Sequence, residues 1–550
     1  MKASDLLVKC LEEEGIEYIF GVPGEENADF MISLEGSSKI KFILTRHEQG
    51  AAFMAEVYGR LTGNPAGCLG TLGPGATNLI TGVANSNMDH APMIVLTGQG
   101  ASTRLHKESH QVMNVVEMFS AVTKWATTVW HPDNIPEIVR KAVRVARTEK
   151  PGAVLIELPE DIAKLDSQKE PLTVRKFLRS VPDPDVIRQT YDRIKAAKTP
   201  IIIAGNGCIR RRASEQLRIL CETTGIGVMS TFMAKGCVDM DKDYCLYTVG
   251  LGAKDIPVYA LEKADLVITI GFDMVEYHPK LWNDGKTAEV VHIDFLPSEI
   301  DENYDPKIEV VGDIAHALEM LNETIASDGG FNHDLSSQKK MRAVMGAELE
   351  QYKDDAGEAA IRPQKALWDA RQVLGPEDIL LSDVGAHKMW IARHYHAHEP
   401  NTCLIPNGFC SMGFALPGAI SASLVYPERR ILSICGDGGF LMNVQEMETA
   451  RRLNCNMTVM VWEDGGYGLI SWKQEAEFDR STDLAFNNPD WMQLAEAFGW
   501  NGHLINDASN LQAALEASFN ESGPSLVVIP IDYNENKLLT KRLGEMATPI

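Results

Sequence analysis

Gly436-Asp437-Gly438-Gly439 follows an apolar run, Ile431–Cys435, and leads into a helical pattern, FLMNVQEMETARR. Glycines let a backbone approach an anion closely, and a helix N-terminus offers unpaired N–H groups. An aspartate inside such a site makes chemical sense if a divalent cation bridges it to a phosphate. The competing reading is an ordinary Gly-Asp-Gly turn. A second group, Glu463-Asp464-Gly465-Gly466-Tyr467-Gly468, follows another apolar run, MTVMVW, and places Asp464 27 residues after Asp437. That separation is one strand–helix–strand unit. In a parallel sheet the two strand ends would be neighbours on the edge where open α/β folds bind ligands. Two carboxylates and a glycine-rich carbonyl are hard oxygen donors suited to Mg²⁺, with phosphate oxygens and water completing an octahedron.

Such a site needs strands and helices to hold it, and the 550 residues supply them. Short β-branched runs alternate with helical patterns, which points to α/β units with parallel sheets. Strands are expected at Tyr18–Phe20, Lys41–Leu44, Ala66–Thr71, Met93–Thr97 and Ala153–Leu158, after an amphipathic helix with Leu6, Leu7, Cys10 and Leu11 inward. A polar, proline-containing linker, DSQKEPLTVRKFLRSVPDPD, precedes a second block running from TPIIIAGNGC to IEVVGD. A charged stretch, ASDGGFNHDLSSQKKMRAVMGAELEQYKDDAGEAA, separates it from a third block, ILLSDVG to SLVVIPID. Three α/β domains are expected, at 1–165, 186–325 and 360–550. Gly205-x-Gly207 begins a dinucleotide fingerprint, but Arg210 stands where its third glycine belongs, so a tight strand-to-helix turn is expected.

Composition narrows the function. With 52 basic and 76 acidic side chains the net charge is −24, which argues against a nucleic-acid partner. No apolar run approaches the roughly 18 to 20 residues of a membrane span, and Glu12, Glu13 and Glu14 stand where a secretory signal would be apolar. None of the ten cysteines forms a Cys-x-x-Cys pair, so reduced thiols and a cytoplasmic location are expected.

These motifs resemble those of the thiamine-diphosphate enzymes, whose cofactor motif begins Gly-Asp-Gly and ends near an Asn-Asn pair. The resemblance implies three doubly wound parallel-sheet domains in the order pyrimidine-binding, central, diphosphate-binding. Carried over, it makes Asp437, Asp464 and the carbonyl of Gly466 the Mg²⁺ ligands, although Glu463-Asp464 stands where Asn-Asn is usual. Glu463 then either adds charge at the metal or points to solvent. FILTRHEQGAAFMAEVYGR resembles the family's catalytic region and makes Glu48 the glutamate that protonates the aminopyrimidine ring; Glu56 is expected to be structural. GVPGEENADF and GTLGPGATN bring Pro23, Gly73 and Asn78 to the cofactor. Met412, 25 residues before Asp437, stands where the family bends the cofactor, and the Cys410 carbonyl where it bonds the pyrimidine. Gly385, His387, Gly436, Gly438 and Gly439 fall at diphosphate contacts, with Ala386 in place of a common glutamine. Tyr467, Gly468 and Leu469 complete the cofactor contacts.

Nearly the whole chain takes part in the resemblance, which is strongest to acetolactate synthases of the catabolic type. It implies decarboxylation of pyruvate and carboligation to a second 2-keto acid, with Gln111 in SHQVMNVVEMF orienting the acceptor. Glu276-Tyr277-His278-Pro279 replaces a flavin-binding pattern, so FAD is expected to be absent or unnecessary. Active sites between subunits of a homodimer, or of a tetramer built from it, are implied. Beyond Gly468, Lys473 either meets an anionic acceptor or is a surface lysine. Glyoxylate carboligase, sulfoacetaldehyde acetyltransferase, a flavin-containing pyruvate oxidase and a non-catalytic regulatory subunit remain the alternatives.

Overall fold

Continuous apolar runs bury both faces of a strand and suit parallel sheets covered by helices. The computed structural model describes residues 1–175, 179–210, 212–251, 256–285, 288–334, 336–356 and 360–536, and in them the chain builds three six-stranded, all-parallel sheets. Residues 176–178 and 357–359 of the expected separators, and 537–550 of the third expected domain, lie outside the described residues.

The first sheet contains β1 (Tyr18–Gly21), β2 (Lys41–Leu44), β3 (Ala66–Gly70), β4 (Met93–Gln99), β5 (Trp125–Thr128) and β6 (Ala153–Pro159), in the order β2-β1-β3-β4-β6-β5. The second contains β7 (Pro200–Ala204), β8 (Gly227–Ser230), β9 (Cys245–Thr248), β10 (Leu266–Ile270), β11 (Glu289–Asp294) and β12 (Ile308–Val311), ordered β12-β11-β10-β7-β8-β9. The third contains β13 (Ile379–Ser382), β14 (Cys403–Leu404), β15 (Ile431–Gly436), β16 (Thr458–Glu463), β17 (Asn501–Leu504) and β18 (Ser525–Pro530), ordered β14-β13-β15-β16-β18-β17. The first and third sheets therefore share one strand order. In both, the order reverses beside the first strand, so crevices open at the carboxyl ends of β1/β3 and β13/β15.

The stretch expected to separate the second and third blocks is not a plain linker. It contains a helix, Ser336–Glu350, which packs against β9 and buries Met345 and Leu349. Apolar side chains four residues apart on one helical face explain this, and the polar residues between them concealed it.

The helix Glu48–Thr62 carries the small residues Gly50, Ala51, Ala52, Ala55 and Gly59 and is buried nearly all round. Small side chains let it lie close to two neighbours at once. A Cβ on Gly82 of the helix Pro74–Met88 would sit 2.5 Å from Ala52 Cβ, and one on Gly418 of the helix Ala415–Val425 2.9 Å from Val57 Cγ2. Phe53 meets Phe414 edge to face at 5.8 Å. One apolar cluster thus runs from the first sheet into the third. No helix of the described residues is long and apolar enough to cross a membrane.

Candidate active site

Two clusters form, one in each switch-point crevice. In the first, β1 ends in the turn holding Pro23, which is exposed, and Gly24, which packs against Thr71 beyond β3. Thr71 Oγ1 donates to Glu26 Oε2 at 3.0 Å. Gly73 has φ +52°, and a Cβ there would lie 2.9 Å from Gln111 Cβ. The exposed Gln111 is itself left-handed, at φ +57°. Glu48 opens its helix and is buried, with Oε2 accepting from Asn78 Nδ2 at 2.9 Å and Oε1 3.2 Å from where a Cβ on Gly75 would be. Glu48, Asn78, Gly73 and Gln111 are therefore brought together.

In the second cluster, β15 and β16 are paired neighbours, Gly436 opposite Trp462, so Asp437 and Asp464 follow adjacent strand ends. Asp437 is buried. Its Oδ2 accepts from Gly465 N at 2.7 Å, Asp464 N at 3.2 Å and Asn488 Nδ2 at 2.8 Å, and its Oδ1 from Gly438 N at 2.8 Å. Asp464 is exposed as a residue, while its carboxyl turns towards Asp437; desolvation of that carboxyl and the Asp437 charge push it up to about 7. Glu463 does not point freely to solvent. It accepts from Asn488 Nδ2 and Trp491 Nε1, both at 2.9 Å. The segment 484–486 pairs with the turn Gly465–Tyr467, and Phe486 meets Tyr467 edge to face at 5.2 Å. Gly438 lies under these two rings: a Cβ there would be 3.0 Å from Tyr467 and 3.2 Å from Phe486.

His387 is buried, its Nε2 has no hydrogen-bond partner among the described residues, and burial lowers its pKa to about 3, so the ring is neutral. Gly385 and Gly436 both crowd this ring. Cys410 takes a left-handed φ of +61°, and Lys388 Nζ lies 3.2 Å from its Sγ. Met412 is half-buried in the same loop. Asn85 and Asp89 of the first domain hold that loop by accepting from Ser411 N at 3.1 Å and Gly408 N at 2.6 Å. Leu469 is half-buried, and Gly468 lies tight against Asp464 Oδ2. Lys473 is exposed on the helix Gly468–Phe478.

Three residues absent from the sequence reading organise these groups. Asp383, fully buried at the end of β13, accepts from Val384, Gly413 and Phe414 N–H groups, and a Cβ on Gly439 would come within 2.5 Å of it. It ties together the SDVG, SMGF and GDGG segments. Glu446 accepts from Arg46 N and His47 N, fixing the turn before Glu48 from the third domain. Asn488 bridges Asp437 and Glu463. A polar residue at a strand's carboxyl end was the available signal for Asp383; Glu446 and Asn488 carry no local motif. Among the described residues, no hydrogen bond joins the Glu48 cluster to the Asp437 cluster.

Family models of thiamine pyrophosphate enzymes match the chain in three places: the N-terminal TPP binding domain over residues 1–118, the central domain over 187–321 and the C-terminal TPP binding domain over 383–529. The catabolic acetolactate synthase of Raoultella terrigena is 36% identical over 552 residues, covering 98% of this chain and 97% of that one. The acetolactate synthase of Bacillus subtilis is 32% identical, covering 99% and 96%. A probable acetolactate synthase large subunit of Methanococcus aeolicus is 32% identical, covering 97% and 92%.

Proposed function

The chain belongs to the thiamine pyrophosphate enzyme family, and from that premise we propose that it is a thiamine-diphosphate- and Mg²⁺-dependent acetolactate synthase. It decarboxylates pyruvate and joins the two-carbon unit to a second 2-keto acid, giving 2-acetolactate. The observation that carries this reading is a buried glutamate in one crevice and two facing carboxylates in the other, in a chain similar end to end to acetolactate synthases.

The residues present fit the cofactor. Two carboxyls turned on one another, with no cation side chain among the described residues bonded to either, suit a divalent ion, and Asp437, Asp464 and the Gly466 carbonyl would hold it. His387 Nε2, unpartnered among the described residues, suits a phosphate oxygen when it carries the ring's proton, with Gly385, Gly436, Gly438 and Gly439 keeping the cradle free of side chains. When bound, thiamine diphosphate supplies the electron sink that carbon–carbon cleavage beside a carbonyl requires. Glu48, dry and hydrogen-bonded to Asn78, holds and delivers the proton at the aminopyrimidine ring. The Cys410 carbonyl and Met412 would position that ring, and Pro23, Gly73, Tyr467, Gly468 and Leu469 would line the remaining contacts. Gln111 orients the acceptor keto acid.

The enzyme works without flavin on this reading. Asn206 N, in the turn where a dinucleotide phosphate would dock, is already bonded to the Glu276 carboxylate at 3.1 Å, as is Met233 N. Glu48 of one subunit and Asp437 of its partner complete each site in a homodimer or a tetramer of such dimers. Nine buried and one half-buried thiols, all free, support a cytoplasmic location.

Incubation with pyruvate, thiamine diphosphate and Mg²⁺, without FAD, is expected to release CO₂ and yield acetoin on acidification. CO₂ without acetoin, or turnover of glyoxylate or sulfoacetaldehyde in place of pyruvate, would overturn the assignment.

A further inference from the structure

Asp239-Met240-Asp241 of the middle domain and His396-Ala397-His398 of the third run side by side. Met240 N donates to Ala397 O at 3.3 Å, and Ala397 N contacts Met240 Sδ at 3.3 Å. Both central side chains are buried, so the four flanking side chains gather at the surface between the domains. His398 Nδ1 lies 2.9 Å from Asp239 Oδ1 and 3.7 Å from Asp241 Oδ2, and His396 Nδ1 lies 3.2 Å from Asp241 Oδ1. One ligand atom each from Asp239, Asp241 and His398 falls within 4.8 Å of the others.

We propose that Asp239, Asp241 and His398 form a three-ligand Zn²⁺-class site, with its fourth position left to water, that staples the middle domain to the third. Imidazole nitrogen with carboxylate oxygen is a donor set for a borderline transition metal, whereas Mg²⁺ selects oxygen alone. Ligands at the 2.0–2.1 Å typical of Zn²⁺ stand about 3.3 Å apart along a tetrahedron's edge. The His398 Nδ1 separations, 2.9 Å to Asp239 Oδ1 and 3.7 Å to Asp241 Oδ2, straddle that length, while His396 pairs with the other oxygen of Asp241. Two ligands come from the middle domain and one from the third, so neither domain alone completes the site. None of the three belongs to the Glu48 or Asp437 clusters.

The test is a Zn²⁺ titration by calorimetry of the full chain saturated with thiamine diphosphate and Mg²⁺. Wild type should bind one equivalent per chain that the His396→Ala/His398→Ala variant does not. Asp239→Asn, which keeps the shape and a hydrogen-bond acceptor, should lose affinity by more than about tenfold. Zn²⁺, but not equal added Mg²⁺, should raise the wild-type melting temperature, and Co²⁺ should give the visible absorption of a tetrahedral site. Wild type that takes up no Zn²⁺, or a double-histidine variant that binds and is stabilised equally, would show ion pairs only and sink the proposal. The pyruvate assay scores separately, because a failed staple leaves the cofactor residues in place.

Discussion

Glu48 is dry, fixed by Asn78 and placed at the head of a helix that cannot shift without disturbing both neighbours. Its replacement by glutamine keeps the shape and removes the proton. Glu48→Gln should therefore lower turnover by about two orders of magnitude or more while thiamine diphosphate still binds, as read by kinetics beside cofactor calorimetry. Glu446 supplies a pH signature. Burial raises its pKa from 4.5 to about 7, so between those values the folded carboxyl keeps a proton that the unfolded one releases. Stability then falls as pH rises through that window, by about 3 kcal/mol at most. Melting curves from pH 4.5 to 7.5 should show Glu446→Gln gaining on wild type with rising pH; a constant gap would contradict this origin. Asp437, Asp464 and Glu48 could be singled out as candidates because each sits in a motif with recognisable neighbours. Asp383, Glu446 and Asn488 could not, because each acts on backbone or side chains distant in the sequence.

At the scale of elements, the strands that escaped sequence reading are β5, β9, β14 and β17, each at the edge of its sheet. An edge strand pairs on one side only and can be short or polar. β14 has two residues, and β17 reads Asn-Gly-His-Leu. Interior strands, buried on both faces, announced themselves as apolar runs. The shared order of the first and third sheets was invisible in the residues, because side-chain pattern specifies that a strand is buried and not which strand it adjoins. Helix crossings left a plainer trace in small residues. Gly82→Ala sets a methyl against Ala52, 2.5 Å away, and should cost about 1–3 kcal/mol in urea unfolding.

At the scale of the whole molecule, each chain carries the Glu48 cluster and the Asp437 cluster in two equivalent crevices, which the proposed function makes two half-sites. The helix Gly468–Phe478, beside the Asp437 cluster, buries only Trp472 and leaves Ile470 45% and Phe478 62% exposed. In the proposed dimer a partner subunit would cover that helix. Ile470→Glu/Phe478→Glu should elute as a smaller species in size-exclusion chromatography and lose activity with its fold intact. The most direct measurement is complementation: Glu48→Gln and Asp437→Ala chains, each inactive alone, are co-expressed and assayed for acetolactate. With sites shared between subunits, half of randomly paired dimers carry one intact site of two, and about a quarter of wild-type turnover should return. A mixture as inactive as its components would mean that the two half-sites do not work across the interface, and would contradict the account.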